Sequence, residues 1–351
     1  MKALIGSGAV VSLAALGSGC SGSTAGKNIL NFYNYSDYIG KETIPRFEKD
    51  YNFRVNCDYY SKQDILYAKI KIGVTGYDLI VATDLILRRF IRQNLLIPVE
   101  KEKIPNVANL MSRFSSPPYD PGLKYSIPYL WGSTVIAFNK KYVTEPVSSW
   151  KDLWNPKYKG KISMLDEKRE AIGATLIMLG YNPNSTDKKE LREAQMKLLE
   201  QRPLLKKYTA DTYIDELASN ELWLAQGWSG DVIQAMRENP DIDYIIPEEG
   251  SIIWVDCMAI PTGSPHPDSA RLFMDYILKP EVGAELATHV GYATPNKAAF
   301  DYIGKTKPEI VNDKRIYPPE KTLDRLYFNT DIGDEEKYWN KIWEDIKLGK
   351  S

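Results

Sequence analysis

The sequence has few of the side chains on which metal sites and nucleophilic enzymes depend. Its 351 residues include three cysteines and two histidines, and no two cysteines have the spacing of a structural zinc site. A Ser-His-Asp or Cys-His mechanism would have to use His266 or His289, and neither histidine lies in a motif typical of such sites. No Gly-x-x-x-x-Gly-Lys-Ser/Thr segment for nucleotide phosphates is present. We therefore expect no metal, no cofactor and no catalysis.

The sequence also lacks an excess of charge of either sign. Its 45 basic and 46 acidic residues leave a formal net charge of −1. Proteins that bind nucleic acids concentrate basic side chains, so this balance argues against a nucleic-acid partner. Any preference for a charged ligand must come from a local group of side chains.

The apolar run at the start of the chain is short and rich in glycine for a membrane-spanning helix. Lys2 precedes this run and small residues lead to Cys20, so residues 1–20 are predicted to be an export signal. Together with the polar residues 21–27, this pattern resembles a bacterial lipoprotein site, with Cys20 as the lipidated residue and 21–27 as a tether. An uncleaved signal anchor and a secreted chain without lipid are the alternatives.

Strand and helix patterns alternate along the rest of the chain. The alternation predicts an α/β protein whose mostly parallel sheets are flanked by helices. A length of 351 residues suits two lobes of roughly 150 residues each. Ligands of open α/β sheets bind beyond the carboxyl ends of the strands. The predicted strands 28–33 and 77–82 are followed by the turns 34–38 and 82–84, which we expect to lie beside a ligand.

The stretch 250–261, GSIIWVDCMAIP, is apolar and rich in β-branched residues, which predicts a buried strand. Trp254 and Asp256 are two residues apart, so their side chains lie on one face of that strand. An aromatic ring beside a carboxylate that is removed from water is a good receptor for an ammonium group. The alternative is a core strand whose aspartate accepts backbone N–H bonds.

Aromatic rings and carboxylates recur together at the ends of predicted strands: Tyr35 with Asp37 and Tyr38, Trp228 with Asp231, and Trp254 with Asp256. Rings would cover methylene groups and carboxylates would bind ammonium groups, so the pattern suits a small, elongated cation. Local alternatives remain. Asp231 is in a position to cap a helix, and Glu167 and Glu170 lie in a predicted first turn, where acidic residues offset the helix dipole.

The chain from about residue 28 to 350 resembles the periplasmic spermidine/putrescine-binding proteins of bacterial ABC transporters. The segments that carry the resemblance are FYNYSDY (32–38), YDLIV (77–81), SIPYLWG (126–132), WKDLW (150–154), IIWVD (252–256) and GYATPN (291–296). The resemblance implies a two-lobed, type II periplasmic-binding fold joined by a hinge. The implied lobes are residues 28–132 plus 257–302, and residues 133–256 plus 303–351.

The resemblance also implies a set of ligand-binding residues: Tyr35, Ser36, Asp37, Tyr38, Thr83, Glu167, Glu170, Trp228, Asp231, Trp254, Asp256, Tyr292 and Asn329. Tyr35 replaces the tryptophan that is usual in the family, and Asn329 stands where a glutamine is frequent. Leu85 replaces an aromatic residue of spermidine binders, which leaves contact at that position open. The WSGD arrangement at 228–231 is closer to the putrescine-specific branch.

The function that the resemblance implies is capture without chemistry. The protein would bind putrescine or spermidine between closing lobes, with putrescine slightly favoured, and deliver it to an ABC permease with a separate ATPase. It would act in the periplasm or at the cell surface, held to the membrane by its lipid. Two rivals stay open: a sugar-binding protein of another ABC importer, and a glycoside hydrolase that uses Glu167 and Glu170 as its carboxylate pair. An amino-acid or anion ligand would need a paired arginine, and none is expected beside the ligand-binding turns.

Overall fold

The computed structural model describes residues 28–73 and 76–350. The predicted export signal, its Cys20 and the tether at 21–27 lie outside the described residues. Within the described part, no helix combines the length and the apolar character that crossing a bilayer would take.

The described residues form eleven strands, which are β1 (Asn28–Tyr35), β2 (Phe53–Tyr60), β3 (Leu79–Thr83), β4 (Leu96–Ile97), β5 (Ser126–Asn139), β6 (Ile162–Leu165), β7 (Leu205–Thr209), β8 (Leu224–Trp228), β9 (Ile242–Ile245), β10 (Ser251–Pro261) and β11 (Leu326–Phe328). They also form thirteen α-helices, which are α1 (Thr43–Tyr51), α2 (Gln63–Lys71), α3 (Asp84–Arg92), α4 (Lys168–Met178), α5 (Lys188–Gln201), α6 (Tyr213–Ala218), α7 (Ser229–Glu238), α8 (Pro267–Ile277), α9 (Pro280–Val290), α10 (Lys297–Thr306), α11 (Pro308–Val311), α12 (Glu320–Leu323) and α13 (Glu336–Leu348).

The first lobe is built on a sheet with the strand order β2-β1-β3-β10-β5. β1 runs parallel to β2 and to β3, whereas β10 runs antiparallel to β3 and to β5. All eleven residues of β10 are buried, as its apolar composition predicts. The carboxyl end of β3 therefore lies beside β10, and the carboxyl end of β1 lies one strand further away.

The second lobe continues from the same long strand β5. This strand pairs with β10 as far as Ser133 and then with β8 from Thr134 onwards, so the run 126–139 crosses from one lobe to the other. β6 runs parallel to β7 and β8, and β5 runs antiparallel to β8 and β9. Antiparallel pairing is thus confined to the two long strands: β5 is antiparallel to β8, β9 and β10, and β10 is also antiparallel to β3 and β4 but parallel to β11.

Each sheet has a hydrophobic core on both of its faces. Phe32 and Tyr33 of β1 belong to different clusters of the first lobe. Val135 and Ile136 of β5 are likewise divided between the two clusters of the second lobe. This division follows from the alternation of side chains along a strand. Two three-layer lobes result, and they share the strands that cross between them.

Candidate ligand-binding site

A cavity of about 300 Å³ lies between the lobes. All thirteen residues predicted from the sequence line this one cavity. Tyr35, Thr83 and Trp228 are the last residues of β1, β3 and β8, and Asn329 follows the last residue of β11. The site is therefore assembled from strand ends, as expected for an open α/β sheet.

The crossing strand β10 places Asp256 in the cavity. Asp256 pairs with Thr83 across the β10–β3 ladder and is only 4% exposed. The Tyr38 hydroxyl donates a 2.7 Å hydrogen bond to its Oδ2, and its Oδ1 is buried without a partner. Burial raises the pKa of Asp256 to about 7, with further increases from Asp84 and Asp231 and a decrease from the Tyr38 hydrogen bond. The backbone-satisfied aspartate considered as an alternative is not what the structure contains.

The aromatic side chains form a continuous wall of the cavity. The Trp254 and Tyr292 rings meet edge to face with centroids 5.1 Å apart, and Tyr38 meets Tyr292 at 5.5 Å in a similar geometry. On the other side of Tyr38, the Tyr35 ring also meets it edge to face at 5.5 Å and packs on Tyr60 at 4.4 Å. Such rings can contact the methylene groups of a ligand and attract its cationic nitrogens.

Two glycines make room for these rings. A Cβ on Gly132 of β5 would lie 2.7 Å from the Trp254 ring, and a Cβ on Gly230 of α7 would overlap the Tyr292 ring. Any side chain at either position would therefore displace a ring of the wall.

Asp231 is held by tyrosine hydroxyls. Tyr213 donates a 2.7 Å hydrogen bond to its Oδ2, and Tyr292 donates one of 2.6 Å to its Oδ1. Burial raises the pKa of Asp231 above its ordinary value in spite of these two hydrogen bonds. Because α7 begins at Ser229, Asp231 lies inside the helix, and the alternative reading of Asp231 as the N-cap is wrong.

Glu167 and Glu170 lie at the start of α4. Glu167 is at the N-cap position but makes no capping hydrogen bond with its side chain, so capping does not account for it. Glu170 is 7% exposed; Thr134 donates a 2.5 Å hydrogen bond to its Oε2, and Asn329 donates one of 3.5 Å to its Oε1. Burial raises the pKa of each glutamate to about 7.

Sequence reasoning missed a second group of residues that line the cavity, and Leu85 also contributes to the lining. The missed polar members include Tyr60, Gln63, Asp64, Asp84, Arg89, Lys168, Arg169, Asp211, Gln234 and Glu336. Asp84 belongs to the turn 82–84 that the sequence predicts to lie beside the ligand, but it was not among the predicted ligand-binding residues.

The expectation that no arginine stands beside the ligand-binding turns is wrong. Arg169, between the two glutamates of α4, is 5% exposed and lines the cavity together with Arg89. The Arg169 guanidinium stacks on the Trp339 ring at 4.6 Å and donates a 3.4 Å hydrogen bond to Asn329 Oδ1. Burial lowers the pKa of Arg169 to about 10, and its Nε and Nη1 are buried without partners.

The cavity nevertheless has a large excess of acidic groups. Nine carboxylates and four basic side chains line it, an excess of five negative charges when all are ionised. Asp84 Oδ2, Asp256 Oδ1 and Gln63 Oε1 are buried acceptors without a donor. An ammonium group is a donor without acceptor capacity, so it would complement these three oxygens. In the described ranges, no cluster of three or more His, Cys, Asp or Glu side chains could hold a metal ion.

Ion pairs join the two lobes at the rim of the cavity. Lys62, which precedes α2 of the first lobe, approaches Asp166 of the second lobe to 2.7 Å between Nζ and Oδ2. Arg89 of α3 approaches Glu336 of α13 at 3.5 Å. The structure therefore has its lobes in contact across the mouth of the site.

The comparisons with known proteins point in one direction. Residues 69–317 match the family described as bacterial extracellular solute-binding protein. The chain is 32% identical over 325 residues to the spermidine/putrescine-binding periplasmic protein of Escherichia coli (strain K12), which covers 92% of each chain. It is 31% identical over 351 residues to the putrescine/cadaverine-binding protein of Pseudomonas aeruginosa, covering 96% of this chain and 98% of the relative.

Solved structures agree with this assignment. The spermidine/putrescine ABC transporter substrate-binding protein of Streptococcus pneumoniae superposes with a TM-score of 0.82 at 31% identity, covering 92% of this chain and 100% of the other. A lipoprotein of Treponema pallidum also gives 0.82, at 30% identity, covering 91% of this chain and 99% of the other.

Proposed function

We propose a specific role from one established premise: this chain belongs to the family of bacterial extracellular solute-binding proteins. It is a two-lobed solute-binding protein, and we propose that its solute is a polyamine, putrescine or spermidine. The observation that carries the proposal is the buried Asp256, whose Oδ1 has no partner and which lies beside the Trp254 and Tyr292 rings. An ammonium group would supply the missing donor and the missing positive charge.

The physical balance favours a slender, multiply charged amine. Each contact between a ring face and a desolvated ammonium contributes about 1–2 kcal/mol, and charge-assisted hydrogen bonds to carboxylates add to this. Dehydration of the amine offsets part of the gain. A neutral sugar would leave the buried carboxylates without counter-charge, because it brings no cation to nine acidic groups.

The proposed roles follow the positions of the side chains. Glu167 and Glu170 bind the ammonium at one end of the ligand, Asp231 binds the other end, and Asp256 lies between them. The remaining predicted residues supply ring faces and hydroxyl or amide groups. They are Tyr35, Ser36, Asp37, Tyr38, Thr83, Trp228, Trp254, Tyr292 and Asn329.

Capture is proposed to proceed by closure of the lobes about the crossing strands. A ligand that contacts both lobes binds the closed form better and shifts the open–closed equilibrium towards it. The closed form would dock on an ABC permease whose ATPase is a separate chain, and no reaction on the ligand is proposed. Location in the periplasm or at the cell surface, with Cys20 as the lipid anchor, belongs to the same proposal.

The limits of the lobes are part of the proposal. The exchange of partners in β5 at 133–134 supports the first limit. Ile303 lies in one of the two hydrophobic cores of the first lobe. Tyr317 and Phe328 pack against the second core of that same lobe. This packing favours a final crossing after Phe328, later than the limit at 302–303 that the resemblance implies.

The test combines native mass spectrometry of the purified protein with thermal unfolding in putrescine, spermidine, maltose or calcium. A ligand at 100 times its Kd stabilises the folded state by about 2.7 kcal/mol, so we expect a clear rise in Tm with polyamines alone. Butane-1,4-diol, which has the length of putrescine without its charges, is the matched control and should have no effect. Stabilisation by maltose or calcium only, or turnover of model glycosides, would overturn the proposal.

A further inference from the structure

Asp84 is a buried carboxylate of the cavity that the predicted site does not include. It is the first residue of α3, is 1% exposed and lines the cavity. The Val255 N–H donates a 3.3 Å hydrogen bond to its Oδ1, whereas its Oδ2 is buried without any partner. One oxygen of this carboxylate is therefore left for a donor that the chain itself does not provide.

The position of Asp84 at a helix start does not account for its burial. The N-terminus of α3 is already capped by Thr83, whose hydroxyl accepts a 3.4 Å hydrogen bond from the Ile86 N–H. Arg88, one turn along the helix, lowers the pKa of Asp84, yet burial dominates and raises it to about 7. The favourable interaction of an acidic residue with the helix dipole does not require burial, because it is also present at exposed helix starts. Burying it with an unsatisfied oxygen is costly and calls for another partner.

Four carboxylates line the cavity at different positions, and each accepts a hydrogen bond from a different neighbour. Tyr213 holds Asp231, Tyr38 holds Asp256, the Val255 N–H holds Asp84, and Thr134 holds Glu170. The charge of Asp84 raises the pKa of both Asp256 and Glu170, and the charge of Asp231 raises that of Asp256. The strand order places Asp256 of β10 between Asp84, which follows the neighbouring strand β3, and Asp231, which follows β8 on the other side of β10. The carboxylates thus form a row with Asp231 at one end and Asp84 at the other.

We infer that Asp84 is a ligand-binding carboxylate and that the site takes a triamine in preference to a diamine. The inference rests on the proposed function, in which the solute is a polyamine. Asp231, Asp256 and the pair Asp84 with Glu170 provide counter-charge at three places, which matches three ammonium groups joined by short methylene chains. A short diamine would leave one of these buried positions without a cation. This preference differs from the one for putrescine that the arrangement at 228–231 predicts from the sequence.

Titration calorimetry of the mature chain with spermidine and putrescine tests the inference. The substitution Asp84→Asn should weaken the binding of spermidine at least tenfold. It should weaken the binding of putrescine less than threefold, because putrescine can occupy the part of the row between Asp231 and Asp256. Glu281→Gln is the matched control: Glu281 lies in the first turn of α9, is exposed and does not line the cavity, so both affinities should change less than threefold. The inference would be overturned if Asp84→Asn lowered the affinities for spermidine and putrescine by the same factor, or if it left the affinity for spermidine unchanged.

A second measurement needs no variant and stands if Asp84→Asn fails to fold. Octane-1,8-diamine has the length of spermidine with a methylene in place of the central ammonium. Wild-type protein should bind spermidine at least tenfold more tightly than this diamine and more tightly than putrescine. Equal or weaker binding of spermidine would refute the inference while leaving the proposed function intact. Failure of the wild type to bind any polyamine would instead refute the proposed function, and this inference with it.

Discussion

Replacing Asp256 with asparagine should weaken polyamine binding and stabilise the empty protein at the same time. The asparagine keeps the shape of the side chain and can still hydrogen-bond the Tyr38 hydroxyl, which now donates to Asp256 Oδ2 at 2.7 Å. The substitution removes one negative charge from a position that is 4% exposed. Charge is therefore the main property that changes.

The effect on binding follows from the loss of a buried counter-charge. Removing one partner of a buried, hydrogen-bonded charge pair costs about 2–5 kcal/mol of binding free energy. Since each 1.4 kcal/mol is a factor of ten in affinity, a loss of about 3 kcal/mol raises Kd roughly 100-fold.

The effect on stability has the opposite sign. Burial raises the pKa of Asp256 to about 7, whereas an unfolded aspartate ionises near 4. At pH 8 the folded protein must hold an ionised carboxylate that it disfavours by up to about 4 kcal/mol, at ~1.4 kcal/mol for each tenfold change in acidity. The substitution Asp256→Asn removes this cost at pH 8. At pH 5 the cost that it removes is only about 1.4 kcal/mol, because Asp256 is neutral in the folded protein while an unfolded aspartate is already largely ionised.

Titration calorimetry with spermidine at pH 8 and thermal unfolding of the ligand-free proteins at pH 5 and pH 8 measure the two effects. We expect weaker binding together with a higher Tm than the wild type at pH 8, and a clearly smaller increase in Tm at pH 5. An unchanged affinity in a folded variant would show that Asp256 is structural. A lower Tm at pH 8 would show that the carboxylate is satisfied within the protein, which would refute the reasoning from its burial.

Three further predictions concern the same cavity. Several of its carboxylates have pKa values raised to about 7. Because these groups become ionised between pH 5 and pH 8, the stability of the ligand-free protein should fall over that range and its affinity for polyamines should rise. Thermal unfolding and calorimetry across the range measure the two effects. Lys62→Met removes the 2.7 Å pair with Asp166; because both side chains are partly exposed, affinity should fall only about threefold, with a smaller loss in 0.5 M salt. Gly132→Ala places a Cβ 2.7 Å from the Trp254 ring, so binding should weaken at least tenfold with a shift in tryptophan fluorescence; unchanged binding would show that this ring is not part of the site.

The sequence was most informative where a local rule determines geometry. Trp254 and Asp256 had to share a face of their strand because side chains alternate along it. Tyr35 and Thr83 had to come together because they end neighbouring parallel strands. The resemblance to a known family then added Glu170, whose position in the cavity no periodicity would have indicated.

Local sequence patterns failed where the role of a residue depends on the side chains that surround it in the folded protein. Asp231 and Glu167 both fit the pattern of acidic residues at a helix start, but neither caps its helix in the structure. Arg169 lies between two glutamates in the sequence, but in the structure its guanidinium stacks on Trp339, which is 170 residues later in the chain. These partners are remote in sequence, and no local pattern identifies them.

The sequence by itself determined the α/β alternation, the strand ends that carry the site and the kinds of side chain gathered there. Only the tertiary structure decided which carboxylates are deprived of water and which of their oxygens have no donor. Asp84 is the clearest case, since the Val255 N–H of β10 donates to one of its oxygens and the other oxygen is buried without a partner. The energy of a charge depends on how much water and how many dipoles surround it, and those surroundings come from segments that meet only when the chain folds.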